Sequence, residues 1–261
     1  MKTVGSEEED QRLFVHRLPS ARLVDRIAYL RGLAAGKRVI HIGFADARYR
    51  DLHDANDRWL HAHLAEVTTS LVGLDLDEQG VVEARERGME AYSVDCCNPA
   101  AVAALGLEPA DLVIAGEIIE HLDAPGLFLD ALRPLCADDG TLVITTPNAA
   151  GWVNPLASLL SYEVNHPDHM VMFTWFTLTN LLRRHGWEPT GAATFLPSVK
   201  PTRGGLRLRI QSALARIFLA CQRLLARVRP FTADGLIVSA RPAHAPHEAA
   251  RSPRQAPESA R

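Results

Sequence analysis

Along most of this chain, short apolar runs rich in β-branched residues alternate with stretches of helical periodicity, a pattern that predicts strand-helix-strand units. Strands are expected at residues 38–42, 71–75, 92–96, 112–115, 142–145 and 234–240. Leu23, Ile27 and Leu30 lie at helical spacing before Gly36 and predict a helix ahead of the first strand. Further helices are expected over 56–67, 81–87 and 178–185. Between the strands at 112–115 and 142–145, Leu127, Leu129, Leu132 and Leu135 recur at mixed helical spacing, and Asp138-Asp139-Gly140 supplies a turn. This is a β-α-β unit. Glu117, Glu120 and His121 follow the carboxyl end of its first strand, where open parallel sheets place a ligand crevice.

The segments GEIIEHL (residues 116–122) and DGTLVITTPN (residues 139–148) carry a resemblance to the class I S-adenosylmethionine (SAM)-dependent methyltransferases, and specifically to the ubiquinone-biosynthesis O-methyltransferase-like branch. It extends over roughly residues 36–190, with a final strand near 235–241. The resemblance implies an α/β fold: a Rossmann-like, doubly wound, mostly parallel sheet with a final antiparallel strand and a helical insertion. It also implies SAM as cofactor. At the end of the first strand, VIHIGFADAR (residues 39–48), the family usually has an acidic residue, a spacer and a glycine-rich turn. Here His41 stands in place of the acid and Ala45 in place of the second glycine, and only Gly43 remains. His41 and Gly43 are assigned to the cofactor turn; a purely structural turn is the alternative, since glycine serves both.

Asp75 ends the second strand, where a carboxylate can accept both hydrogens of a ribose diol. Asp77 reads as a helix cap. By resemblance Asp95 accepts from the adenine amino group and Cys96 offers its backbone N–H to the ring; a plain Asx turn at Asp95 is the competing reading. Glu117 is placed beside the methionine part of the cofactor. Glu120 at a helix start can simply complement the dipole, and His121 can orient substrate, remove a proton or be structural.

A second constellation, Glu163-Val164-Asn165-His166-Pro167-Asp168-His169, resembles the HPDH segment that borders the acceptor pocket in this branch. An imidazole of pKa near 6.5 suits removal of a hydroxyl proton, which makes His169 or His166 the expected base. A hydrogen-bonded loop is the bland alternative. Imidazole and carboxylate are also common metal ligands. HxxH interrupted by proline is not a helical HExxH, however, so the two imidazoles need not converge and no metal ligand is assigned.

With 261 residues and 47% hydrophobic content, the chain suits one α/β domain with additions. Residues 1–19 read as a flexible acidic arm, 20–241 as the catalytic domain, and 242–261 as a disordered tail. There is no internal repeat. The four cysteines form no CxxC pair or disulfide framework, the start lacks a signal-peptide core, and no apolar run reaches the roughly 20 residues of a membrane span. A cytoplasmic location follows, peripheral to the membrane if the insertion at 198–230 touches it. That insertion holds Lys200 and seven arginines but no acid. On a helix Arg209, Arg216, Arg223 and Arg227 form one stripe, while Leu206, Ile210, Leu214, Ile217, Cys221, Leu224 and Val228 gather on another face. Such a helix could lie on an anionic membrane, hold a phosphate-bearing substrate, or cover the site.

The expected function is SAM-dependent O-methylation of a small-molecule, sugar or glycan-like acceptor by in-line transfer with histidine assistance. The degenerate glycine turn also allows a non-catalytic regulatory or partner subunit of the same fold. The basic insertion allows a nucleic-acid methyltransferase, but a formal net charge of -3, 6% aromatic content and the lack of an NPPY-like motif weigh against nucleic acid. Oligomeric state is left open.

Overall fold

The computed structural model describes residues 15–45, 59–196 and 206–243, with side chains of the last segment from Arg216 onward. The expectations for the acidic arm before residue 15, the loop at 46–58, the start of the insertion and the tail from 244 lie outside the described residues.

Seven strands form one sheet in the order β3-β2-β1-β4-β5-β7-β6. They are β1 (Arg38–Ile42), β2 (Ser70–Asp75), β3 (Glu90–Ser93), β4 (Ala110–Gly116), β5 (Cys136–Pro147), β6 (Trp187–Phe195) and β7 (Gly235–Pro242). The first five run parallel; β7 runs antiparallel to both β5 and β6 and lies between them. The helices are α1 (Arg26–Ala34), α2 (Leu60–Ala65), α3 (Glu78–Glu86), α4 (Pro99–Ala104), α5 (Pro125–Leu132), α6 (Val153–Ser158), α7 (Trp175–Arg184) and α8 (Leu206–Val228).

Alternation along the strands divides the core. Ile40, Ile42, Val113, Ala115, Leu142, Ile144, Leu236 and Val238 share one buried cluster with Phe128 and Leu132 of α5 and Leu178 and Leu182 of α7. Val39, Leu112, Ile114, Val143 and Ile237 point the other way, into a cluster with Leu30 and Ala34 of α1 and Leu60 and Leu64 of α2. Because successive side chains leave a strand on opposite faces, strands apolar at every position must be covered on both sides. Local chemistry sets the helix starts: Asp77 caps α3 by accepting from Gln79 N, Asn98 caps α4 by accepting from Ala101 N, and Thr174 and Thr177 form a reciprocal capping box on α7.

The structure corrects several expectations. Strand β6 is not announced by the sequence, since Pro189 and Gly191 interrupt it; the register shifts between them, a place where a missing N–H is tolerated. Asp138-Asp139-Gly140 lies inside β5, whose pairing with β4 is irregular there, rather than forming a separate turn. Helix α2 is shorter than the expected 56–67. Glu120 and His121 sit in a 3₁₀ turn, Ile119–His121, and α5 begins only at Pro125. On α8 the expected apolar face is turned outward: Ile217, Cys221, Leu224 and Val228 are exposed, while Gln222 and Ala226 are buried. Among the described residues no helix is long and apolar enough to cross a membrane.

Candidate functional site

The strand order reverses on either side of β1, whose neighbours are β2 and β4. Connections there leave in opposite directions and open a crevice beyond the strand carboxyl ends. Gly43 and Glu117 follow the ends of β1 and β4, Asp75 is the last residue of β2, and Asp95 lies just past β3. Gly43 has φ +71°, which L side chains rarely adopt, and a Cβ there would stand 3.0 Å from Ile118 Cδ1. Its N–H donates to the Leu74 carbonyl at 2.8 Å. Asp75 organises the same turn: Oδ2 accepts from Ala45 N at 2.8 Å and Oδ1 from Asp77 N at 3.0 Å. Burial pushes the Asp75 carboxyl up from its ordinary value, while these N–H donors pull it back.

His41 stands apart from the other assigned cofactor residues. Its ring is 3% exposed and faces α2, with Nδ1 3.2 Å from Nδ1 of the buried His61. Burial, then the neighbouring His61 and Arg26, hold His41 well below the usual histidine value, and burial lowers His61 to about 4. The two rings therefore form a neutral interior pair beneath the turn. From the sequence, His61 on the first helix supports no catalytic role by itself, and its pairing with His41 is visible only in the fold.

Asp95 Oδ1 accepts from Cys97 N at 2.8 Å, so the Asx turn is formed. A carboxylate retains a second oxygen, and the turn is compatible with a ligand contact. The Cys96 side chain is buried, and burial pushes its thiol up to about 12, so any contribution from this residue is through its backbone.

Beyond β4, Glu117 adopts φ +54°, a left-handed conformation uncommon for a residue with a side chain. It is pinned there. Its N–H donates to the Thr145 carbonyl at 2.9 Å, and its Oε1 accepts from Thr145 Oγ1 at 3.0 Å. Thr145 Oγ1 in turn accepts from Arg26 Nε at 3.1 Å. Neither Arg26 nor Thr145 was marked by the sequence: the arginine lies before the first strand and the threonine inside an apolar one. Glu120 is 1% exposed; Thr146 Oγ1 donates to its Oε2 at 2.9 Å, and its Oε1 has no hydrogen-bond partner among the described residues. Burial, and then the charge of Glu117, raise Glu120 to about 8, so it is the protonated partner at neutral pH.

The second constellation packs onto this turn. Met170 N and Val171 N both donate to the Glu120 carbonyl, at 2.8 and 3.1 Å. His121 is thereby brought to His166 and His169, with ring centroids 5.8 and 4.7 Å away, and the latter two are 5.4 Å apart. The expectation that the imidazoles of the HPDH segment need not converge is corrected: the loop doubles back, His169 N donating to the His166 carbonyl at 3.1 Å. Burial, followed by His121 and His166, lowers His169 from its ordinary value, which favours the neutral imidazole.

A methyltransferase-domain family model matches residues 14–191. No curated protein is a significant match. Among solved structures, a methyltransferase from Bacillus halodurans has 13% identity and TM-score 0.52, with 84% of this chain and 99% of that chain covered. A SAM-dependent methyltransferase from Archaeoglobus fulgidus has 16% identity and TM-score 0.50, covering 82% and 92%. Magnesium protoporphyrin IX methyltransferase from Synechocystis, solved with bound SAH, has 12% identity and TM-score 0.50, covering 92% and 95%. At such identities the likeness is one of fold.

Proposed function

Because the chain belongs to the methyltransferase-domain family, with SAM as its cofactor, we propose that it methylates an oxygen nucleophile of a small-molecule, sugar or glycan-like acceptor. The single observation that carries this reading is the meeting of His121, His166 and His169 on the Glu117–Glu120 turn, since oxygen acceptors must lose a proton as they attack. The narrower kinship with the ubiquinone-biosynthesis O-methyltransferase branch belongs to the same proposal and rests on GEIIEHL and HPDH.

The residues fit the cofactor in a definite way. Asp75 would accept from the ribose hydroxyls, Asp95 and the Cys96 backbone would meet the adenine, and Glu117 would face the methionine end. Gly43 supplies the left-handed φ of the turn that the cofactor would meet, and a Cβ there would press on Ile118. When bound, SAM supplies the electrophilic methyl. The protein's part is to aim the acceptor oxygen along the line of displacement, where positioning supplies much of the acceleration, and to take the hydroxyl proton on a neutral imidazole, His169 first. His41, paired with His61, would support the turn from below.

Incubating the protein with methyl-labelled SAM and panels of phenols, sugars, carboxylic acids and lipid-linked glycans should label at least one hydroxyl class. Cofactor binding without label in any oxygen class would overturn the proposal and favour a regulatory subunit, or an N- or C-acceptor.

A second reading concerns where the acceptor is met. On α8 the exposed apolar residues Ile217, Leu224 and Val228 (62%, 65% and 64% exposed) run beside the exposed Arg216, Arg223 and Arg227. Apolar and cationic stripes side by side on one helix favour an anionic bilayer surface. The protein should co-sediment with anionic but not zwitterionic vesicles, release with salt, and lose binding in an Arg223→Glu/Arg227→Glu variant. No sedimentation of the intact chain would remove the membrane from the proposal.

A further inference from the structure

We propose that His121, His166 and His169 form a binding site for a divalent transition-metal ion of the zinc class, with one coordination position left open. One ring nitrogen from each of the three lies within 4.8 Å of the others, and all three side chains are half-buried. No hydrogen bond joins one ring to another among the described residues, so a polar network among the imidazoles does not explain their convergence.

The contacts around two of the three rings select the right form of the ligand. His121 Nδ1 is 3.1 Å from the Asp168 carbonyl, and His169 Nδ1 is 2.7 Å from Asn165 Oδ1. That asparagine oxygen also accepts from His166 N at 3.0 Å, which fixes it as the acceptor end of the amide. Both oxygens can only accept, so Nδ1 of each ring carries the hydrogen and Nε2 keeps its lone pair outward. Metal-bound histidines are usually oriented this way, the remote N–H held by a carbonyl or carboxylate.

His166 is held differently: its Nδ1 accepts from Asp168 N at 3.3 Å and lies 3.9 Å from the Asp168 carboxylate, so in this arrangement Nε2 carries the hydrogen and the ring must change tautomer or give up that contact to bind a metal. It is the ring whose adjustment closes the site. Bonds of about 2.0–2.1 Å place tetrahedral imidazole nitrogens roughly 3.4 Å apart, so nitrogens within 4.8 Å of one another need a contraction of at most about 1.4 Å to complete the set. Three imidazoles suit zinc, cobalt, nickel or copper rather than magnesium or calcium, which prefer oxygen. Three protein ligands with a vacant fourth position are the arrangement of catalytic rather than structural zinc.

The role of the ion rests on the methyl-transfer reading above; the binding site does not. With an ion bound the three imidazoles would be ligands and His169 would no longer serve as the base; an acceptor hydroxyl in the fourth position, made more acidic by the ion, would instead release its proton to solvent water. Its oxygen electron pair would then form the C–O bond as the methyl carbon–sulfur bond breaks, leaving the sulfur as a neutral thioether.

The test uses the full-length, tag-free chain stripped with a chelator and titrated calorimetrically with zinc alone, without cofactor or acceptor. One ion per chain should bind with a dissociation constant of about 1 μM or tighter near pH 7.5. Affinity should fall as the pH is lowered, because protons and the ion compete for the same ring nitrogens. His121→Ala, His166→Ala and His169→Ala should each weaken it at least about tenfold, and zinc should raise the melting temperature of the unaltered chain but not of the folded variants. Magnesium should give no heat. Absence of zinc binding tighter than about 1 mM (a free energy of only about -4 kcal/mol), or unchanged affinity in folded His166→Ala and His169→Ala variants, would overturn the site. Zinc binding without methylation of any hydroxyl would leave the site standing and remove the oxygen-acceptor reading.

Discussion

Replacing Asp75 with alanine is expected to weaken SAM binding about 100-fold or more, the largest loss from any single change at the cofactor end. The carboxylate holds the turn, accepting from Ala45 N and Asp77 N at 2.8 and 3.0 Å, and in the proposed complex it also accepts from the ribose. Hydrogen bonds to a charged group are worth roughly 1.5–3 kcal/mol each. Two such contacts to a ligand, together with a turn that relaxes out of shape, amount to at least about 2.8 kcal/mol, and each 1.4 kcal/mol is about tenfold in affinity. Asp75→Asn should fall between, since one of its two arms now donates where the backbone also donates. Calorimetric titration with SAM measures both. An alanine variant that folds, by circular dichroism, and binds within about threefold of the parent (less than about 0.7 kcal/mol) would remove Asp75 from the cofactor site.

Trp187→Ala should cost about 3–5 kcal/mol of stability, a large part of the roughly 5–15 kcal/mol that holds a domain of this kind together. Trp187 begins β6, is 0% exposed, and belongs to the same buried cluster as Leu129, Leu178 and Leu182. Its indole N–H donates to the Leu129 carbonyl at 3.1 Å, tying β6 to α5. Alanine would leave both a cavity and an unsatisfied carbonyl. Trp187→Phe keeps most of the volume and loses the N–H, so it should cost less, about 1–2 kcal/mol plus a smaller packing defect. Urea denaturation of the three proteins separates the contributions. A loss under about 1 kcal/mol for the alanine variant, well short of the usual cost of emptying such a site, would contradict the packing described.

The parallel half of the sheet was legible because β1, β2, β4 and β5 are short, nearly continuous apolar runs covered on both faces, and such strands write themselves into the sequence. Strand β6 did not, because Pro189 and Gly191 break the run at a register shift that only its antiparallel partner makes tolerable. Asp77 was read as a cap and is one, since capping is local chemistry. Gly43 and Asp75 are legible for a similar reason, each from its position at the end of its own strand, whereas the bond from Ala45 N that ties Asp75 to the Gly43 turn is not.

What could not be read depends on contacts far apart in the chain. Arg26 reaches Thr145, His41 meets His61, and His121 meets His166 and His169 only because the Glu120 carbonyl receives the loop that follows the HPDH segment. Periodicity also misjudged α8. A repeating apolar stripe normally marks the buried face, yet here the buried positions are Gln222 and Ala226, the glutamine bonded to the Asp234 carboxylate. A polar side chain anchors the helix, and the apolar stripe is left outside.

The strands on either side of that helix lead to a different conclusion. Phe195 and Gly235 are cross-strand partners, so the chain leaves β6 and returns to β7 at one point of the sheet, and everything from 196 to 234 is strung between adjacent residues. A connection closed at its base by an existing pair adds only slowly growing loop entropy as it lengthens. The stretch ahead of Gln222 can be lengthened or shortened while the hairpin and the crevice between β1 and β4 keep their geometry, whereas 222–234 is tied down, Gln222 bonding to the Asp234 carboxylate and Asn148 Nδ2 donating to the Phe231 and Ala233 carbonyls. In a lineage of such chains, the stretch between 196 and 221 is therefore the part free to diverge, while the anchored end of the excursion and the crevice stay as they are.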